Sequence, residues 1–172
     1  MTLKNGQTTS LSWLEEDDLP EIAEAINCIV REEKYLLMDK EITDLEFERM
    51  WFLEGKETGM RYLVAKVNGK VVGGASLTPF TGKRAHVAEF GIYILKNYRA
   101  LGLGTILLKE FIEVAKKNRF EVIQLSVFST NKVAMHVYRK CNFKRCGKLT
   151  HDIKFTDGTY TDRIMMELLI TQ

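Results

Sequence analysis

A chain of 172 residues with 45% hydrophobic and 28% charged residues has the size and balance of one globular domain with a core of its own. Its net charge of +2 is spread without a basic stripe, which argues against a nucleic-acid protein, and no apolar run approaches the ~20 residues of a membrane span. Cys28, Cys141 and Cys146 lack CxxC spacing, and His86, His136 and His151 lack HxxxH or HExxH spacing, so free thiols in a reducing compartment and no metal site are expected.

Met1 to Thr9 are polar, which predicts no signal peptide and, by default, a cytoplasmic location. Thr9 to Trp13 reads as a first strand. Asp17, Asp18 and Pro20 form a helix-start signal, acidic caps followed by a proline in the first turn, and Ile22, Ile26, Ile29 and Val30 keep helical spacing behind it. A second helix is predicted over Asp44 to Leu53, with Leu45, Phe47, Met50, Trp51 and Leu53 as its apolar contacts. Tyr62 to Val67 and Val71 to Leu77 are strands joined by Asn68-Gly69, a dipeptide that supplies the positive φ of a tight hairpin turn. Thr81-Gly82-Lys83 marks a loop, and Val87 to Leu95 is the next strand. A helix over Gly102 to Lys117 carries Leu103, Leu107, Phe111, Val114 and Ala115 on one stripe. Val122 to Val127 is a strand, Asn131 to Cys141 a short helix, and two strands flank a turn at Asp157-Gly158. Residues 1–172 thus read as one α/β domain: strand, two helices, three strands, helix, strand, helix, two strands.

Chemistry first shows at Tyr98-Arg99-Ala100-Leu101-Gly102-Leu103-Gly104-Thr105, where a strand ends, a glycine-bearing loop follows and a helix begins. The first N–H groups of a helix lack internal partners and sit at the positive end of its dipole, and glycines let backbone approach an anion, so the segment suits a pyrophosphate. Glycines that merely permit close packing would look the same. A P-loop is excluded because Thr105-Ile106 follows Gly104 where Lys-Ser/Thr is needed, and the dinucleotide fingerprint because Leu107 stands at its last position.

The remaining string, Arg-x-x-Gly-x-Gly over Arg99 to Gly104, resembles the signature loop of the GCN5-related N-acetyltransferase (GNAT) superfamily. Asn131 to Phe143 reads Asn-x-x-Ala-x-x-x-Tyr-x-x-x-Asn-Phe and is similar to that family's downstream pattern, with Asn142 in place of the usual Gly. The resemblance covers essentially the whole chain. It implies the GNAT fold, a mixed and mostly antiparallel sheet of about seven strands flanked by about four helices, and acetyl-CoA as acetyl donor without a metal. It further implies that Ala100, Leu101, Gly102, Leu103, Gly104 and Thr105 hold the pyrophosphate through backbone N–H groups, with Arg99 adding charge. Ile92, Tyr93 and Ile94 would pair their backbone with the pantetheine arm, Asn131 would hydrogen-bond it, and Tyr138 would face the thioester sulfur. By itself Tyr138 reads as a core aromatic on a short helix.

Attack of an amine on a thioester needs a neutral amine. With a lysine-like pKa, only about one molecule in a thousand is neutral at pH 7. Glu89 is the candidate base and Tyr138 the candidate acid for the departing thiol. Strand alternation puts Ala88, Phe90, Ile92 and Ile94 on one face and Glu89, Gly91 and Tyr93 on the other. The plainer alternative is that Glu89 is a salt-bridged edge residue. Ala88 to Ile94 also looks like the Val-Glu-x-Ser-Val-Tyr-Val segment of phosphinothricin-type acetyltransferases. The ribosomal-protein branch keeps its glutamate on the next strand, where this chain has Ser126. A small-molecule amine is therefore the expected acceptor, with protein amino termini or lysines as the alternative and a non-catalytic acyl-CoA sensor as the rival of another class. No nucleic-acid or membrane partner is expected, and a homodimer is allowed. Glu32, Glu33, Tyr35, Trp51 and Tyr160 could line an amine pocket, but each reads first as a solvated or packing residue.

Overall fold

The computed structural model describes residues 1–170. Seven strands form one sheet: β1 (Thr9–Trp13), β2 (Arg61–Val67), β3 (Lys70–Pro79), β4 (Val87–Ile94), β5 (Val122–Phe128), β6 (Lys144–Lys154) and β7 (Tyr160–Leu169). Their order is β1-β2-β3-β4-β5-β7-β6, and only β4 and β5 run parallel. Four helices complete the fold: α1 (Leu19–Val30), α2 (Leu45–Glu57), α3 (Leu103–Lys117) and α4 (Lys132–Lys140). Element order agrees with the expectation throughout.

Alternation along the strands divides the core in two. Leu63 and Ala65 of β2, Ala75 and Leu77 of β3, and Ala88 and Phe90 of β4 point to α3, whose stripe of Leu103, Leu107, Leu108, Phe111 and Ala115 is fully buried against them. Tyr62, Val64 and Tyr93 leave the opposite face and pack under α1 with Ile22, Ile29 and Phe52. Those two layers hold β4 from both sides.

Two local expectations need correction. Asp18 occupies the N-cap position of α1 without capping it; its carboxylate accepts from Glu15 N at 3.1 Å and pairs with Lys66 Nζ at 2.5 Å. The pair ties the helix start to β2, which outweighs a local cap. In α2 the inward residues are Phe52 and Gly55, the latter packed so closely that a Cβ would lie 2.4 Å from Met60 Cε. Phe47 (69% exposed) and Met50 face outward instead of supplying contacts, whereas Trp51, half-exposed, sets its ring edge-on to Tyr62. The helix also runs to Glu57, a turn past Leu53, because neither glycine nor proline stops it before Gly55.

Candidate active site

The parallel pairing of β4 and β5 is short. It covers Val87↔Val122, Ala88↔Ile123 and Glu89↔Gln124 and then stops, while β5 continues its ladder with β7 as far as Phe128↔Arg163. Past Glu89 the two strands separate into a wedge. On its other side β4 stays paired with β3 through Gly73↔Ile94. Leu95 N donates to Val72 O at 2.9 Å and Phe80 N to Val87 O at 3.0 Å, which fixes the ladder's phase. By antiparallel alternation, Glu89, Gly91 and Tyr93 direct their peptide groups to β3, and Phe90, Ile92 and Ile94 direct theirs into the wedge. Ile92 and Ile94 therefore share an open edge; Tyr93 does not, since its backbone is committed to β3.

At the wide end of the wedge lies the glycine loop. Gly102 has φ of 93° and Ala100 φ of 60°, both in the left-handed region that a tight loop requires. No backbone carbonyl among the described residues accepts from the N–H groups of residues 100 to 104, whereas Thr105 N is taken by Gly102 O at 3.0 Å. A Cβ built on Gly102 would meet nothing within 4 Å, so the space beside these amides is open. Unpaired amides at the start of a 15-residue helix make a site for an anion.

Arg99 adds less free charge than its place in the motif suggests. Its Nη1 and Nη2 donate to both oxygens of Glu32 at 2.7 and 2.6 Å, and its Nε donates to Ile94 O at 2.8 Å. The guanidinium also lies over the Tyr35 ring at 4.6 Å. Hydrogen bonds from Arg99 hold the Glu32 carboxyl below its ordinary range. Arg99 is thus a brace between the end of α1, the end of β4 and the loop.

Glu89 is exposed at the apex of the wedge, on the α1 side, and joins no ion pair among the described residues. Its register neighbours are Thr78 and Gln124, and Arg84 Nη2 donates to Gln124 Oε1 at 2.7 Å. Gly91, two residues on, is exposed, and a Cβ there would come within 3.0 Å of Ser76 Oγ, so backbone and one hydroxyl floor this part of the face. Tyr138 is buried beside Phe143 (ring centroids 6.0 Å apart), and burial pushes its phenol above the usual value. Asn131 caps α4 by accepting from Ala134 N at 3.1 Å, which uses Oδ1 and leaves its Nδ2 as a donor.

The sequence pattern of the acetyltransferase (GNAT) family matches residues 19–143. The chain belongs to the GNAT acetyltransferase family. It is accordingly an acetyl-CoA-dependent N-acetyltransferase, and its seven-stranded mixed sheet with four helices is the α/β fold of that family. It is 35% identical over 110 residues (63% of this chain, 67% of the relative) to the L-amino acid N-acetyltransferase AaaT of Escherichia coli K12. The ribosomal-protein-alanine N-acetyltransferase of Brucella melitensis is similar in structure, with a TM-score of 0.86, 28% identity, and 94% of this chain and 99% of that one covered. A phosphinothricin acetyltransferase from Sinorhizobium meliloti, solved in complex with acetyl-CoA, shares the fold with a TM-score of 0.87 at 20% identity, over 95% of this chain and 89% of that one.

The remaining residues considered for the acetyltransferase's amine side are placed as follows. Glu32 and Tyr35 serve Arg99, Glu33 accepts from Thr156 Oγ1, and Tyr160 stacks on His151 at 5.3 Å. Only Trp51 stands near the face that carries Glu89, its ring edge-on to Tyr62 at 6.0 Å. Sequence reading missed Tyr62, Ser76 and Glu48 on that face. Tyr62 was legible by parity, since it alternates with the buried Leu63, and Glu48 by its position one helical turn before Phe52. No described helix is long and apolar enough to cross a membrane, and no described cluster of three or more His, Cys, Asp or Glu could hold a metal ion.

Proposed function

We propose that residues 1–172 act as one catalytic unit that transfers acetyl from acetyl-CoA to a small primary amine by direct attack, with Glu89 as base and Tyr138 as acid. The observation that carries this reading is the wedge. Its open β4 edge offers the carbonyl of Phe90, both peptide groups of Ile92 and the N–H of Ile94 to an extended chain, as an added strand would use them, and it leads from unpaired amides to Glu89. The donor contributes an activated thioester. The carbonyl of Phe90, the peptide groups of Ile92 and the N–H of Ile94 orient its arm, residues 100 to 104 hold its phosphates, and the Asn131 amide donates to it. Glu89 removes the ammonium proton of the acceptor, directly or through one water. The amine nitrogen bonds the carbonyl carbon, the carbon–sulfur bond breaks as Tyr138 gives its proton to sulfur, and the second nitrogen proton leaves to water, which reprotonates the Tyr138 phenolate. A phenol kept protonated by burial is a donor across the physiological range, as this role requires.

Transfer to a protein amino terminus is a second reading, supported by likeness to the Brucella enzyme. Against it stands Ser126, half-buried, where the resemblance would place a glutamate. The small-amine reading is tested by pH–rate profiles of wild type and Glu89→Gln with one amine, alongside melting curves. The variant must draw neutral amine from solution. Its rate is low at pH 7 and climbs about tenfold per unit toward the amine's pKa, so its deficit shrinks at high pH. Parallel profiles with a lowered melting temperature in the variant would make Glu89 structural.

A further inference from the structure

Three polar side chains on the α1–α2 side of the sheet, the neighbouring Tyr62 and Tyr93 and Glu48, make no side-chain hydrogen bond within 3.5 Å among the described residues. The hydroxyls of Tyr62 and Tyr93 are buried without a hydrogen bond, although each residue is only 8% exposed. Such groups are uncommon and ask for an explanation. The two rings stand over Gly74, where a Cβ would come within 2.9 Å of Tyr93 Cε1 and 3.0 Å of Tyr62 Cε1 and Tyr93 Oη. Space for these rings is created by the missing side chain. The third group is Glu48, half-buried on the inner side of α2 one turn before Phe52. Burial, then the neighbouring Tyr93, pushes the Tyr62 phenol up, the Glu48 charge adds to this, and burial raises the Glu48 carboxyl's own proton affinity. Its chain neighbour Arg49 is engaged with Glu16 and Glu46 at 2.5 and 3.3 Å, and Glu48 joins no ion pair among the described residues.

This group of oxygens adjoins the proposed acceptor face. Tyr62 pairs with Ser76 and Ser76 with Gly91, so Tyr62 lies two strand spacings, about 10 Å, from β4, with Glu89 one pleat further along β4. Trp51, 38% exposed, borders the group edge-on to Tyr62. A carboxylate, two phenol oxygens and an indole suit a cation, because the sole formal charge is negative and aromatic rings tolerate a neighbouring ammonium.

We propose that Glu48, backed by the hydroxyls of Tyr62 and Tyr93, binds a second cationic group of the acceptor, so that this acetyltransferase prefers small primary amines with a cationic tail. The inference rests on the small-amine reading above and adds the acceptor's charge. Diamines and basic amino acids both present that chemistry; only the second also carries a carboxylate beside the reacting amine.

The test compares acceptors in pairs, 1,6-diaminohexane with n-hexylamine and L-arginine with L-norleucine, by thiol release from acetyl-CoA. Wild type should favour the cationic member of at least one pair, and which pair identifies the source. Glu48→Gln should raise KM for that member roughly ten- to hundredfold, in line with a lost charged hydrogen bond, leaving kcat and the neutral-tailed amine nearly unchanged. Tyr62→Phe supplies an independent readout. Removing an unpartnered buried hydroxyl should leave the melting temperature unchanged or raised, yet increase KM for the cationic acceptor. Turnover with equal preference within both pairs, or equal KM changes for both members in Glu48→Gln, overturns the cation site and leaves the transferase reading standing. Failure of every amine to release thiol overturns both.

Discussion

Replacing Gly102 by alanine separates backbone strain from ligand exclusion. At φ of 93° a Cβ costs about 1 kcal/mol, and since nothing lies within 4 Å of it in the free protein, no steric term is added. For a chain of this length that is a fall of roughly 2–4 °C in melting temperature. Gly69, in the β2–β3 turn, is a matched control: its φ is 78°, and a Cβ there also meets nothing within 4 Å. Gly69→Ala should therefore be destabilised by the same amount. The variants should differ only with acetyl-CoA present. At a hundred times the dissociation constant, a ligand adds about 2.7 kcal/mol to wild type and, on this reasoning, to Gly69→Ala, a rise of several degrees. In Gly102→Ala the methyl group points into the space beside the unpaired amides, and the rise should be mostly lost. Thermal shift across an acetyl-CoA titration measures all three proteins together. An undiminished rise in Gly102→Ala, or its equal loss in Gly69→Ala, would refute the assignment of this loop to phosphate binding.

Two other outcomes are expected. Tyr138→Phe removes one hydroxyl and little volume, so turnover should fall roughly ten- to ten-thousand-fold with acetyl-CoA affinity nearly unchanged; unaltered turnover, measured where chemistry limits the rate, would return Tyr138 to packing. Glu32→Gln breaks the two-bond pair with Arg99, which is about three-quarters buried, and should cost about 1–2 kcal/mol at pH 7. Because the Glu32 carboxyl is held below its ordinary range, that contribution is complete above the unfolded value of about 4.3 and fades as pH falls through the lower folded value, so melting curves of wild type and variant should converge in acid. A gap that persists unchanged to pH 2 would show that the pair is not its source.

Local pattern made most of the fold legible. Thr9–Trp13 is strand over the bounds its alternation gives, Asn68 and Gly69 both take positive φ in the hairpin turn, and Gly102 turns the chain into α3. What stayed hidden depends on contacts far along the chain. The extent of β4–β5 pairing is a register between strands separated by a helix, and nothing within either strand states that it ends at Glu89. Arg99 belongs to a motif, but its partner Glu32 is 67 residues earlier. The inner face of α2 is not legible in its apolar residues, which spread around the helix, because Phe52 and a glycine with no side chain make the packing, with Trp51 at its border.

The alternation of β4 explains how one short strand can serve two substrates without their paths colliding. Its peptide groups alternate between β3 and the wedge, and its side chains alternate between the α3 core and the α1 face. Phe90, Ile92 and Ile94 thereby anchor the sheet to α3 with their side chains while leaving the carbonyl of Phe90, the peptide groups of Ile92 and the N–H of Ile94 on the open edge. Glu89, Gly91 and Tyr93 bond to β3 with their peptide groups and present a carboxylate, a bare backbone and a buried phenol to the opposite face. On the proposed function, a donor along the edge and an acceptor on the face would meet where pairing with β5 stops, at Glu89. Because both alternations have a period of two, a slip of one residue would exchange every assignment at once, burying the carboxylate toward Phe111 and turning the apolar side chains to the acceptor. Phe90, packed edge-on against Phe111 at 5.7 Å in the α3 core, and the fully buried Ala88 oppose this slip, because it would turn both out of the core and a carboxylate into it.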